Sequence, residues 1–367
     1  MSEFDVIIVG GGIAGASLGA EVAGTRRTLL VEAEDQCGYH ATGRSAAFYL
    51  ESYGGPDVAK LTLASHDFLA GHGFLRVRGD LHLTRDELPE LPPSVESRVV
   101  ERAELERLLP GIRPQWRRAL LEPTCADIDV AALHGAYLRK FRGEGGTVAT
   151  RSRLIRARRS GNGWTIELED GSEIRAPILV NAAGAWADKV AQASGVAPLG
   201  IVPLRRTMVQ LRVGRFGLKD LPLVDAADGS FYFKGEGDNS VWLTPHDEIP
   251  SEPCDAAPEE IDVALAIDRF EQVVDWPVET VERSWAGLRT FAPDRLPVYG
   301  FDRDAPGFFW CAGQGGFGIQ TSPAGAKLAA GLLLEDAPAK MVHLLCFVGQ
   351  HVTDQAAACA GDGGPHG

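Results

Sequence analysis

The chain has 367 residues, 45% of them hydrophobic, and a formal net charge of −14 at pH 7. This length exceeds one simple core and suits two domains. The acidic balance argues against nucleic acid or an anionic membrane surface as a partner. No run reaches about 18 apolar residues, so no transmembrane segment is expected. Six cysteines lie scattered without a CxxC pair, which excludes an obvious zinc site and a dense disulfide framework. Reduced thiols are expected. The chain enters its first strand directly after Met1-Ser2-Glu3 with no basic signal-peptide start, and a cytoplasmic location is the expectation.

A short apolar run, Phe4 to Val9, meets Gly10-Gly11-Gly12-Ile13-Ala14-Gly15. A helix-compatible stretch follows, and a second apolar run, Thr28 to Val31, ends in Glu32. Strand, glycine turn, helix, strand and an acid about 20 residues on make a dinucleotide-binding pattern. Gly10 permits the tight turn, Gly12 lets a pyrophosphate approach the backbone, and Gly15 lets the helix pack close to the strand. The helix N-terminus offers N–H groups to phosphate. Glu32 can accept from both ribose hydroxyls. The bland alternative is a strand-to-helix turn with no ligand.

The stretch from Cys37 to Ala47 reads as a loop, Val58 to Leu69 as a helix, and Gly79 to Thr84 as a short strand. The region 86–112 is acidic, with a surface helix over Glu101 to Leu109. A meander begins near Gly146, with strands over Thr147 to Arg158 and Trp164 to Leu168 separated by glycine turns. Pro177 to Asn181 is a buried strand that runs into Ala182-Ala183-Gly184-Ala185-Trp186, a second place where backbone can approach a cofactor. Strands are expected over Met208 to Val213 and Ser230 to Lys234, and an amphipathic helix over Ala256 to Val274. Phe308 to Ala312 is a last buried strand, and Gly313-Gln314-Gly315-Gly316-Phe317-Gly318 leads into a helix through Ala324 to Leu334. Residues 341–367 read as an irregular tail without a function.

Five segments together resemble the D-amino-acid oxidase and glycine oxidase superfamily of FAD enzymes. They are the N-terminal turn, His40 to Ala47, Val180 to Trp186, Ser284-Trp285-Ala286-Gly287-Leu288-Arg289, and Gly313 to Thr321. Within that superfamily the chain looks most like the bacterial D-arginine dehydrogenases. The resemblance implies non-covalent FAD, no catalytic metal and an α/β two-domain architecture. A Rossmann-like FAD-binding domain would comprise 1–76, 131–200 and 285–335. A substrate domain built around a mixed or antiparallel sheet would comprise 77–130 and 201–284. The implied cofactor contacts are Gly10, Gly12, Ile13, Ala14, Gly15 and Glu32, then Thr42, Gly43, Arg44, Ser45 and Ala46 along the pyrophosphate and flavin ring. Ala183, Gly184 and Trp186 follow, and Gly313, Gly315, Gly316, Gly318, Ile319, Gln320 and Thr321 close the set. The helix start after Gly313 suits the flavin pyrimidine, where negative charge builds on reduction. Arg44 could instead be a surface arginine.

Clamping a substrate carboxylate is work for arginine, whose planar fork matches it with two parallel hydrogen bonds. Arg289 is the first choice and Arg206 the second, with the hydroxyls of Tyr232 and Tyr53 beside them by resemblance. For each tyrosine the alternative is core packing, and for Arg206 a solvated charge. Asp80 lies near the place where D-arginine dehydrogenases receive the cationic end of the substrate, or else it is a plain turn residue. Phe48 and Leu50 make one wall more apolar than in those enzymes, so a D-amino acid other than arginine is expected, with a more apolar or aromatic one among the options. The implied reaction is oxidative deamination by hydride transfer from Cα to flavin N5, giving an imino acid that hydrolyses to 2-oxo acid and ammonia. Oxygen or a quinone would re-oxidise the flavin. No residue stands out as a dedicated base. Alternative readings are oxidation of glycine, sarcosine or another secondary amino acid, and turnover-free flavin binding. Another is oxidation of a 2-hydroxy acid, for which His40 and His82 are the only bases near the expected site.

Overall fold

The computed structural model describes residues 4–334. Its first layer is a six-stranded sheet in the order Val298–Phe301, Phe308–Ala312, Ile178–Asn181, Val6–Val9, Thr28–Val31, Thr147–Ala149. All neighbours are parallel except the edge pair of Val298–Phe301 with Phe308–Ala312. The central strands VIIV and TLLV are buried throughout, as expected where a parallel sheet is covered on both faces. Val6, Ile8 and Leu30 face a core shared with the helices Ile13–Val22, Val130–Gly143 and Gly318–Leu334. Ile7, Val9, Leu29 and Val31 face a core shared with the meander Leu154–Ser160, Gly163–Leu168, Glu173–Ala176 and the helix Ala187–Ala193. The period of two divides each strand between the two cores.

The second sheet has nine strands and is antiparallel except where Leu223–Ala226 runs parallel to Asp80–Thr84. From one edge it reads Arg98–Glu101, Arg118–Glu122, Asp80–Thr84, Leu223–Ala226, Tyr232–Gly235, Ser240–Thr244, Val202–Val213, Ile249–Pro250. Val278–Phe291 also pairs with Val202–Val213 along its length. Leu81, Leu83, Val209, Leu211, Val224, Ala226 and Phe233 pack into a core with Leu105 and Phe270 of the helices Arg102–Leu108 and Glu260–Glu271. Alternation then puts Asp80, His82, Arg206, Met208, Asp225 and Tyr232 on the opposite face. That face is where the site forms.

Several elements depart from the sequence reading. The helix Val130–Gly143 was not foreseen; Asp129 caps it by accepting from the Ala132 N–H at 2.9 Å. The expected strand over Thr147 to Arg158 is two strands in different sheets, divided at Arg151, whose φ is 52°. The last helix starts at Gly318 and the helix expected over Ala256 to Val274 starts at Glu260. Val278–Phe291 is one strand, so residue 285, the expected domain change, falls inside it. The tail reading over 341–367 lies outside the described residues.

Candidate active site

A cavity of about 550 Å³ lies between the two sheets and runs from Glu32 to Arg289. At one end the first strand turns at Gly10, whose φ is 105° and whose missing Cβ would sit 2.5 Å from the Ala182 carbonyl oxygen. A methyl on Gly15 would lie 2.0 Å from the Gly10 oxygen, so only glycine lets this helix start approach the strand. Gly12 caps the helix with extended backbone, and the Ile13 N–H donates to Thr42 Oγ1 at 2.9 Å. Glu32 Oε2 accepts from the Gly11 N–H at 2.7 Å and Oε1 from the Glu34 N–H at 3.0 Å. A carboxylate oxygen has a second lone pair for a further donor. His134 donates from Nε2 to the Gly11 oxygen and stays neutral, because burial depresses its pKa. Ala14, Ser45, Ala46, Ala183 and Trp186 complete this wall, and a Cβ on Gly184 would point into open space. A glycine turn at a helix start, an acid at the next strand end and an open channel between them fit a dinucleotide.

Other expected cofactor residues stand off the wall. Gly43 closes a turn, its N–H donating to Gly38 O at 2.8 Å. Gly313, with φ 74°, turns the chain out of the last strand, and Thr321 donates to the Phe317 oxygen at 2.9 Å. Arg44 takes a part that the resemblance did not imply. It lines the cavity, and its guanidinium donates to the carbonyls of Ala256 at 2.9 Å and Ala286 at 3.0 Å and pairs with Asp255. It ties two segments together rather than offering free donors to a phosphate. Gln320 lines the cavity, yet its amide holds both backbone groups of Leu50 and the Thr62 hydroxyl. Gly315, Gly316, Gly318 and Ile319 do line it.

The other end gathers Arg206, Tyr232, Tyr53 and Arg289. Arg289 Nη1 donates to the Tyr53 hydroxyl at 3.1 Å. Arg206 is 4% exposed; its Nε donates to the Asp247 carbonyl at 2.7 Å, while Nη1 and Nη2 have no hydrogen-bond partner among the described residues. The Glu248 carboxylate stands 3.6 Å from Nη2. Burial, then the charge of Arg289, lowers the Arg206 pKa to about 10, so it still carries its charge at neutral pH. The Tyr232 hydroxyl donates to Met208 Sδ at 3.4 Å, and its ring meets Phe48 edge-on. Phe48, Leu50, Met208 and Leu223 give the surrounding wall its apolar character. Gly316 touches this group directly: a Cβ there would lie 2.2 Å from the Tyr53 hydroxyl and 3.0 Å from Arg289 Cζ.

Asp80 is not in this wall. It is wholly buried and does not line the cavity, although its register partner Leu223 does. The Asp80 strand lies next to Leu223–Ala226 on the side away from the Arg206 strand, and none of its residues line the cavity. The wall acid is Asp225, which the sequence reading missed; it is opposite Tyr232 in register and accepts from His82 Nδ1 at 2.8 Å. His82 also approaches Glu122 at 3.4 Å and Asp80 at 3.8 Å. Burial disfavours charge on His82, but Asp80, Asp225 and Glu122 outweigh it and push its pKa up to about 11. Burial, then the Asp225 charge, raises the Asp80 pKa above the usual carboxyl range, while the neighbouring His82 charge works the other way. A charged imidazolium ringed by carboxyls is no base for a substrate hydroxyl. His40 lines the cavity far along it, against Trp186 at 4.6 Å and Glu34 at 3.1 Å. The histidine that borders the arginines is His246, also missed, since no motif surrounds it.

Comparison with known proteins identifies the fold and the family. The model of the FAD dependent oxidoreductase family matches residues 5–332. Human mitochondrial L-2-hydroxyglutarate dehydrogenase is 24% identical over 285 residues, covering 67% of this chain and 61% of that protein. FAD-dependent oxidoreductase domain-containing protein 1 of Xenopus laevis is 26% identical, covering 45% of this chain and 36% of its own length. The chain thus spans less than two thirds of these curated relatives. Among solved structures, L-proline dehydrogenase from P. horikoshii superposes with a TM-score of 0.79 at 18% identity, covering 92% of this chain and 95% of that one. Glycine oxidase from Bacillus cereus gives 0.78 at 17% identity, with 92% and 98% covered. The match over nearly all the described chain, on a cavity shaped for a dinucleotide, places this protein in the FAD-dependent oxidoreductase family, with FAD as its cofactor.

Proposed function

We propose that the protein oxidises the Cα–N bond of a D-amino acid, giving an imino acid that water converts to 2-oxo acid and ammonia. The observation that carries the reading is Arg206: two charged donor nitrogens, buried, with no hydrogen-bond partner among the described residues and only the Glu248 carboxylate 3.6 Å away, beside a second arginine in the cavity wall. Leaving such donors unpaired is costly, and a carboxylate is the group that satisfies a guanidinium fork. Relatives named for 2-hydroxyglutarate, glycine and proline act on α-substituted carboxylates, which agrees with this clamp. The D configuration rests on the resemblance of the five sequence segments.

The turn at Gly10 to Gly15, Glu32, Thr42 and Gly184 would hold FAD, which when bound supplies the two-electron acceptor. Arg289 and Arg206 bind the carboxylate, and the Tyr53 hydroxyl holds Arg289 in place. Phe48, Leu50, Leu223 and Met208 exclude water, which strengthens the charged contacts and fixes the orientation of Cα. The re-oxidant is oxygen or a quinone. The test is anaerobic stopped-flow with paired D- and L-amino acids, glycine, sarcosine and 2-hydroxy acids, followed by admission of air. Bleaching of the flavin by D-amino acids before the other compounds is expected. Faster bleaching by an L-amino acid, a secondary amine or a hydroxy acid would overturn the assignment.

A further inference from the structure

A carboxylate clamp leaves half of an α-amino or α-hydroxy acid unaccounted for. Arg206, Arg289, Tyr53 and Tyr232 all present donors, whereas the α-substituent carries an N–H or O–H and needs an acceptor. Among the carboxylate and imidazole side chains of the wall at this end, Asp225 and His246 can accept. Asp225 is three strands from the Arg206 strand, roughly 14 Å at about 4.8 Å per strand, and its carboxylate is engaged by His82. His246 follows the strand Ser240–Thr244, which pairs directly with the Arg206 strand. The next residue, Asp247, offers the carbonyl that holds Arg206 Nε.

The ring of His246 has a determined tautomer. Nδ1 is hydrogen-bonded to the Gly229 carbonyl, and a carbonyl can only accept, so Nδ1 carries the proton. Nε2 therefore bears the lone pair, and no described residue hydrogen-bonds to it. The backbone holds this arrangement at φ 55°, with the His246 N–H donating to Thr244 Oγ1 at 3.0 Å. A left-handed non-glycine residue at a cavity wall is a conformation that the surroundings impose. Burial, then the charges of Arg206 and Arg289, lowers the ring's pKa to about 3, so the lone pair is available at any working pH.

We propose that His246 Nε2 is the acceptor for the α-substituent of the substrate, so that its N–H or O–H and the carboxylate together fix which bond of Cα turns toward the flavin. This deepens the proposed function and rests on the carboxylate clamp. His246 accepts a hydrogen bond and takes no proton in the resting site, because two guanidinium groups stand beside it. An amine would then enter in its neutral form, since an ammonium would face the same two charges.

The test uses His246→Asn, because asparagine tolerates the left-handed backbone, with His246→Gly as a second variant for the same reason. Both are purified as yellow holoenzyme and checked for flavin content. Each is titrated with two compounds: the best substrate of the panel, and the carboxylate left when its α-substituent is replaced by hydrogen. The first is followed by anaerobic flavin reduction, the second by perturbation of the flavin spectrum. The expected result is a substrate Kd, reduction rate or both worsened by a combined factor of about 10 or more, the scale of one lost hydrogen bond. Binding of the unsubstituted carboxylate stays within about twofold of the parent protein. Parallel weakening of both compounds would reduce His246 to a structural role and overturn the proposal, as would unchanged reduction. If the parent protein itself fails to bind the unsubstituted carboxylate, the clamp reading falls, and this proposal with it. Loss of flavin from both variants, with the clamp intact in the parent, also overturns it, since His246 would then serve the fold.

Discussion

At the scale of single residues, the site is a contest over buried positive charge. Arg206 is buried, and the charge of Arg289 beside it disfavours its own. An anion between them relieves that repulsion and supplies the missing acceptors. Arg289→Ala should leave the yellow holoenzyme intact and slow anaerobic flavin reduction by a factor of order 10²; reduction at the parent rate would remove Arg289 from the clamp. Gly316 has a different role. A methyl there would meet the far ends of the Tyr53 and Arg289 side chains, which can move, rather than backbone. Gly316→Ala should therefore keep the parent's unfolding midpoint while weakening substrate binding by about tenfold, if one charge-assisted bond is lost.

At the scale of elements, the first helix and the Asp80–Thr84 strand impose opposite kinds of constraint. The helix start is limited by backbone contact. In Gly15→Ala the new methyl would overlap the Gly10 carbonyl oxygen, so the helix must shift. Destabilisation of about 1–3 kcal/mol, read as a lower urea midpoint, and weaker FAD retention are expected together. The strand is limited by charge. His82 titrates near 11 in the folded protein against an ordinary value of 6.5, so its folded form holds its proton more tightly. For a raised pKa the stabilisation is complete below the unfolded value and is lost as pH rises toward the folded one. The gap in urea midpoint between the parent and His82→Gln should be widest at pH 6 and shrink steadily toward pH 11. A gap that widens with pH would show that His82 is neutral in the fold.

At the scale of the molecule, two sheets enclose one cavity, and polar links cross it. Arg44 is the clearest. It leaves the loop after the second strand and binds the carbonyls of Ala256 and Ala286, with Asp255 as its ion pair. Tyr39 donates to the same aspartate at 3.2 Å, and Lys189 approaches Glu252 at 3.3 Å. The Asp255 carboxylate is exposed, so Asp255→Ala should change stability by less than about 1 kcal/mol. Arg44→Ala strips donors from two carbonyls at once and should speed FAD loss on dilution, followed by the recovery of free-flavin fluorescence. Equal rates in both variants would mean that the ion pair, not the carbonyl bonds, joins these segments. Among the described residues no helix is long and apolar enough to cross a membrane.

The cofactor half was legible in the chain because its constraints are local. Gly10, Gly12, Gly15 and Glu32 lie within 23 residues and are set by one turn, one helix start and one strand end. Glycine positions, an apolar period and a terminal acid express such constraints directly. Arg206, Tyr232 and Arg289 were legible only through a resemblance, since nothing in their spacing shows that Val202–Val213 pairs with Val278–Phe291. The fate of Asp80, Asp225 and His246 was decided by strand order alone. Asp80 and Asp225 are both acids beside apolar residues, yet on neighbouring strands the first is wholly buried and the second lines the wall. His246 acts through a carbonyl 17 residues away and an arginine one strand over. Pairings of that kind depend on how distant segments align in a sheet, and that alignment is set by burying a whole face rather than by any residue's neighbours in the chain.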